Sequence, residues 1–324
     1  MALTTEKKIY VALGVLALMA GGLYMQQRSV AEEMAKHAPG ALVASLPDIK
    51  LSDEDAEKVT KLEIRNADKG EVVLEKQGDE WVMTKPVNYP AHQQNIKSLL
   101  DNLKQLKLKD TIDPGEGQYA TYDLEDGKAV RVIAYKGDEK AVDLYFGKSG
   151  SRGQMARIGD KPGVYIASGY ASYLYARETK NWRDGKILEF DDGKVVAVEL
   201  TNENGKFSFT KSGDSWSGTL KGQKLANLDA ERVKDFLRTY KALNADDFAD
   251  DKSDAETGLD KPVATMTFKL DGDGGTRTLL VGATVDADSK SRYAKTPDGK
   301  TTFVIGSWVA EWATAGKSKF EKGS

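Results

Sequence analysis

EVVLEKQGDEW, residues 71–81, and KFSFTKSGDSW, residues 206–216, are the two stretches whose reading decides the fold. In each, apolar and polar side chains alternate, the period of a strand with one buried face. Each strand then meets Gly-Asp, which supplies left-handed turn conformations, and a tryptophan follows. Both stretches therefore predict a β-hairpin, with Trp81 or Trp216 plugging the core beneath it.

The likeness extends outward in both directions. Upstream, VTKLEI from Val59 matches VVAVEL from Val195. Downstream, Ile96, Leu99, Leu100, Leu103 and Leu106 repeat as Val233, Phe236, Leu237, Tyr240 and Leu243, one apolar stripe at helical spacing that must lie on a sheet. Asp229 is a natural N-cap for the second of these helices. Tyr122-Asp123-Leu124 then aligns with Thr257-Gly258-Leu259, VRVIAY with ATMTFKL, and DLYFG ending at Gly147 with TLLVG ending at Gly282. Each copy closes with RIGDKPGVYIA or AKTPDGKTTFVIG and an aromatic helical segment, holding Tyr170, Tyr173 and Leu174 in one and Trp308, Val309 and Trp312 in the other.

The spacing between copies stays at about 135 residues, which is duplication of a whole unit. Each unit reads as three strands, a helix, two strands, a hairpin and a helix. Hairpin connections imply mostly antiparallel sheets and the α+β class. The expected organisation is a cytoplasmic tip and transmembrane anchor over residues 1–28, a polar stalk over 29–57, a first α+β repeat over 58–190 and a second over 191–324.

The anchor is read from Ile9 to Met25, a run without charge. Seventeen residues at 1.5 Å each cover roughly 25 Å, the short end of what crosses a hydrocarbon core. Tyr10 and Tyr24 fall where amphipathic rings prefer the interface. Lys7 and Lys8 precede the run and Arg28 follows it, so the positive-inside bias keeps the amino terminus in the cytoplasm. The soluble part then lies in the periplasm or outside the cell, with a single span in a bacterial inner membrane. Cleavage as a signal peptide near Ser29-Val30-Ala31 is the rival reading.

Composition excludes several functions. The formal net charge of -3 gives no footprint for a phosphate backbone, so no nucleic-acid partner is expected. The chain has no cysteine, which removes disulfides, thiolate metal sites and cysteine nucleophiles. His37 and His92 lie in different segments and give no metal-ligand spacing. No nucleophile elbow, phosphate-binding loop or His-Glu-x-x-His motif is present. Asp271-Gly-Asp273-Gly-Gly lacks the later ligands of a calcium loop and reads as a hairpin turn. The acidic run from Asp246 to Glu256 reads as a solvated connection. No cofactor, catalytic residue or metal site is expected.

The KLEI strand start, LEKQGDEWVMTKPV from Leu74, the leucine-striped helix, YDLEDGKAVRVI from Tyr122, the DLYFG turn, GVYIAS from Gly163 and the connector NWRDGKILEFDDGKVVAVEL from Asn181 together resemble the DUF4340 family, over residues 59–315. The resemblance implies one amino-terminal membrane helix and a protein partner, with auxiliary subunits of gliding-motility-type ABC transporters as the nearest analogy; it implies no reaction. The leading expectation is a non-enzymatic, membrane-anchored interaction protein of the cell envelope. A binding module for a cell-wall glycan, lipid or peptide is the alternative, and an envelope hydrolase the third. Tyr170, Tyr173, Trp308 and Trp312 are the expected partner or ligand surface, set against a role in the core; the small-molecule ligand, if any, is undetermined. Trp182 and Arg183, in the connector, are expected to fasten the two repeats together.

Overall fold

The alternating stretches pair edge to edge. In the computed structural model, which describes residues 46–322, the first nine strands are β1 (Lys61–Asn66), β2 (Gly70–Gln77), β3 (Glu80–Lys85), β4 (Tyr89–Pro90), β5 (Lys107–Asp113), β6 (Val130–Lys136), β7 (Glu139–Gly150), β8 (Gly153–Ile158) and β9 (Lys161–Ser168). They form one sheet in the order β4-β3-β2-β1-β6-β7-β8-β9-β5. Every pairing in it is antiparallel.

The remaining strands are β10 (Lys186–Glu189), β11 (Val195–Asn202), β12 (Gly205–Ser212), β13 (Ser215–Leu220), β14 (Gln223–Lys224), β15 (Ala242–Asn244), β16 (Asp247–Phe248), β17 (Ala264–Leu270), β18 (Thr276–Thr284), β19 (Arg292–Lys295) and β20 (Phe303–Ile305). The second sheet runs β14-β13-β12-β11-β17-β18-β19-β20-β16, the same path position for position. A mostly antiparallel α+β architecture is therefore observed.

Among the described residues six α-helices accompany the sheets: α1 (Asp53–Lys58), α2 (Gln93–Leu103), α3 (Ser172–Tyr175), α4 (Ala230–Tyr240), α5 (Asp254–Thr257) and α6 (Ser307–Ala313). In the first half α2 carries the chain from β4 at one sheet edge to β5 at the other, and α4 does the same in the second half. Their stripes are buried as the spacing predicts: Ile96, Leu99 and Leu103 in α2, and Val233, Phe236, Leu237 and Tyr240 in α4. At about 1.5–3 kcal/mol for each large apolar side chain removed from water, these stripes dock the helices firmly on the sheets. Asp229 caps α4, its carboxylate accepting from the Glu231 N–H at 3.0 Å. His92 does the same for α2, its Nδ1 accepting from the Asn95 N–H at 3.3 Å.

Each half ends by folding back on its own helix start. The 3-10 turns Thr179–Trp182 and Lys317–Phe320 bury Trp182 and Phe320 completely. The Trp182 carbonyl accepts from the His92 N–H at 2.9 Å, and the Phe320 carbonyl accepts from the Asp229 N–H at 2.8 Å. One short segment thereby closes the core and satisfies a donor at a helix entrance.

Four expectations are revised by the packing. Residues 46–57, read as the end of a stalk, belong to the first core: Ile49 and Leu51 are buried and the Leu51 N–H donates to the Leu103 carbonyl at 3.1 Å. The change of core falls before β10 rather than after residue 190, because β10 pairs with β15 and Ile187, Leu188 and Phe190 pack in the second core. The edge strand β5 was absent from the expected element order. Trp81 is buried as expected, whereas Trp216 is only partly covered. Among the described residues no helix is long and apolar enough to cross a membrane. The span Ile9 to Met25 and its flanks Lys7, Lys8, Tyr10, Tyr24 and Arg28 lie outside the described residues.

Candidate functional site

The closing helices α3 and α6, with Tyr170 just before α3, carry the aromatic residues singled out by sequence, and packing divides them. Tyr170 is stacked on Phe146 at 4.1 Å and on Tyr175 at 4.8 Å between ring centroids. Burial pushes its hydroxyl pKa well above that of a free tyrosine. Trp312 is buried against Phe236 and Phe320 at 5.5 and 5.7 Å. Both belong to the cores. Tyr173 and Trp308 are left 70% and 56% exposed.

These two exposed aromatics occupy the same place in the two halves, the second residue of α3 and the second residue of α6. The helices are short and amphipathic, so Leu174 and Tyr175 in one, and Ala310 and Trp312 in the other, are drawn inward. That packing turns Tyr173 and Trp308 outward.

Trp308 stands between two clefts of about 580 Å³ each. One is lined by Thr284, Ser289, Lys290, Arg292 and Thr314, the other by Arg232, Arg238, Thr239, Trp312 and Lys319. A third cleft, of about 430 Å³, holds Pro262 and the partly exposed Val263 and shares Arg292 and Thr314 with the first. The second half thus presents one continuous furrow with Val263 and Trp308 on either side of Arg292.

The acidic connection from Asp246 to Glu256 is engaged rather than merely solvated. Asp247 accepts from Lys180 at 2.9 Å, Asp254 pairs with Lys295 at 2.8 Å, and Glu256 closes a capping box with Ser253. Asp250 pairs with Arg183 through both carboxylate oxygens. The Arg183 guanidinium is almost fully buried between two rings, its carbon 4.2 Å from the Tyr89 centroid and 3.6 Å from that of Phe248. Tyr89 comes from the first sheet and Phe248 from the second, so Arg183 fastens the two halves as its place in the connector led us to expect. Trp182 stays within the first core. The acidic partner was missed because nothing local distinguishes Asp250 from its neighbours.

Among the described residues no group of three or more His, Cys, Asp or Glu side chains is placed to hold a metal ion. His92 is the helix cap described above, and His37 lies outside the described residues. Asp271 and its glycines form the 3-10 turn between β17 and β18.

Two sheets of one strand order, clamped through a buried arginine and each bearing an outward aromatic on its closing helix, define a two-unit α+β protein with a furrowed aromatic surface. The family model described as Domain of unknown function (DUF4340) matches residues 81–262, more than half of the chain, and the chain belongs to that family. The match begins in β3 and ends just before β17, so it takes in parts of both sheets. No curated protein and no solved structure matches the chain.

Proposed function

We propose that this chain is a membrane-anchored interaction protein of the cell envelope, in which two copies of the family's domain hold a partner protein at an ABC-type transport complex. The observation that carries the reading is the pair Tyr173 and Trp308. A large aromatic ring left in water has no stabilising role in its own unit, and a partner that covers it gains its apolar area and its polar tip together. Two such rings at equivalent positions suit one partner gripped at two points, where the second contact is intramolecular once the first has formed. In this reading Ile9 to Met25 is the anchor and the two units work outside the cytoplasm.

The clefts flanking Trp308 support a second reading, a binding module for a glycan, lipid or peptide, since an aromatic wall with convergent hydroxyl and charged groups is how small ligands are oriented. Affinity purification of the full chain from native membranes in mild detergent, followed by mass spectrometry, separates the two. We expect transporter subunits to be recovered with the full chain and to be lost with a chain beginning at Asp53 or with a Tyr173→Ala, Trp308→Ala variant. Equal recovery by that double variant would remove the paired aromatics from the partner contact.

A further inference from the structure

We infer that the furrow of the second half, from Val263 through Arg292 to Trp308, receives an extended acidic segment of the partner, with a carboxylate on Arg292 and apolar side chains on Val263 and Trp308. The inference rests on the interaction reading above and names the chemistry of its contact.

Charge complementarity argues for an anion. Lys290 and Arg292 line the cleft beside Trp308, and among the described residues neither has a carboxylate within ion-pair distance. Among the described residues two acids line the furrow. Glu311, beside Trp308, faces Lys319 at 3.5 Å, and Glu203 is exposed at the Val263 end, which leaves Lys290 and Arg292 as the cationic part beside Trp308. Asp286 is held by the N–H groups of Asp288 and Ser289 in its own loop. Arg292 uses one guanidinium nitrogen to donate to the Gly282 carbonyl at 3.1 Å, which fixes the fork and leaves other donors for a carboxylate.

The first half supplies a control within the same molecule. Opposite Ser149 on β7 stands Gln154, as Arg292 stands opposite Thr284 on β18. Gln154 donates to the Gly147 carbonyl at 2.6 Å, the counterpart of the Arg292 bond to Gly282. The structural task at this position is thus met by a buried, neutral amide. Arg292 performs the same task and adds a charge at the cleft, which the bond to Gly282 does not require.

The shape favours a chain over a compact ligand. The furrow shares Arg292 and Thr314 between two clefts, so a ligand filling both is elongated, and its two apolar walls are spaced about a central cation. A peptide alternating apolar and acidic side chains meets all three, whereas Val263 offers a saccharide no ring to stack on.

The test uses the full chain in detergent micelles and fluorescence anisotropy of a labelled alternating Leu/Asp peptide, with a Leu/Lys peptide as the control and oligogalacturonate as competitor. We expect the Leu/Asp peptide alone to bind, and affinity to fall about tenfold or more in Arg292→Gln, which copies the residue of the first half and keeps the carbonyl bond. Trp308→Ala and the surface variant Lys290→Gln weaken binding too. Absence of binding, equal binding by Arg292→Gln and Lys290→Gln, or displacement by oligogalacturonate at equal concentration of acid groups would each overturn the acidic-peptide assignment. Failure here with partner capture still dependent on Tyr173 and Trp308 would leave the interaction reading standing, whereas loss of both would remove it.

Discussion

Gly147 and Gly282 show most directly how a single residue is committed by the fold. A Cβ on Gly147 would run into the Tyr122 carbonyl oxygen, and one on Gly282 into the Thr257 carbonyl oxygen, the equivalent contact in the other half. The approach is backbone to backbone, so no flexible side chain can give way. Either Gly→Ala change is expected to lower stability by about 1–3 kcal/mol, read as a reduced midpoint in urea with an unchanged slope. Directly after those two carbonyl residues, Asp123 and Gly258 both have positive φ, 54° and 68°, so one turn conformation is met by an aspartate in one half and a glycine in the other. Asp143 sets a pH limit. Burial pushes its carboxyl pKa up, but hydrogen bonds from Arg131 at 2.9 and 2.8 Å and from Lys140 at 2.7 Å outweigh it and hold the group below the usual carboxylate range. A pKa lowered on folding means that the stabilisation is full above the unfolded value of about 3.9 and is lost as pH falls through the folded value. Asp143→Asn should therefore be less stable than the native chain at neutral pH, and the gap should narrow below about pH 4 in thermal melts.

At the scale of elements, the clamp between the halves is the part most open to test. Arg183→Ala would empty the space between Tyr89 and Phe248 and leave Asp250 unpaired. Asp250 is partly hydrated, so the loss belongs at the low end for a broken buried ion pair, about 2 kcal/mol. The sharper sign is cooperativity: calorimetry of the native chain should give one transition, and Arg183→Ala should resolve two, one for each core. Unchanged cooperativity would mean that the remaining contacts suffice without the guanidinium. The edge strand β5 illustrates what sequence reading overlooked at this scale. Lys107, Lys109, Asp110 and Asp113 make it polar, and no residue in it is fully buried. Strands at sheet edges tolerate such residues, and charge there discourages pairing with other chains, so the alternating signal that betrays inner strands is missing. In the second half the equivalent stretch is divided: β16 holds the sheet edge, while β15 pairs with β10 from the connector in a separate two-stranded sheet.

The described residues form two main cores, each with a smaller buried cluster beside it, joined by a short link, and where the link is cut matters. A second unit beginning at residue 191 would lack β10 and the buried Ile187, Leu188 and Phe190, whereas one beginning at Asp184 keeps them. We expect the longer fragment to be soluble and cooperatively folded, and the shorter one to be less stable by several kcal/mol from three lost apolar side chains. Circular dichroism melts of both fragments decide this, and equal midpoints would show that β10 is dispensable.

The sequence by itself determined the antiparallel α+β class, the helix stripes from Ile96 and Val233, and the like spacing of elements in the two halves. These are written in local periodicity and in likeness at a fixed spacing, which survive without knowledge of distant contacts. Of Trp182 and Arg183, the connector pair expected to join the halves, Arg183 does so and Trp182 does not. Only the tertiary structure decided that Trp312 and Tyr170 face inward while Trp308 and Tyr173 face water. It also decided that Asp250 belongs to Arg183, and that Lys290 and Arg292 meet Val263 and Trp308 along one furrow. Those outcomes depend on which strands become neighbours, and sheet order is set by the packing of whole faces rather than by any one segment.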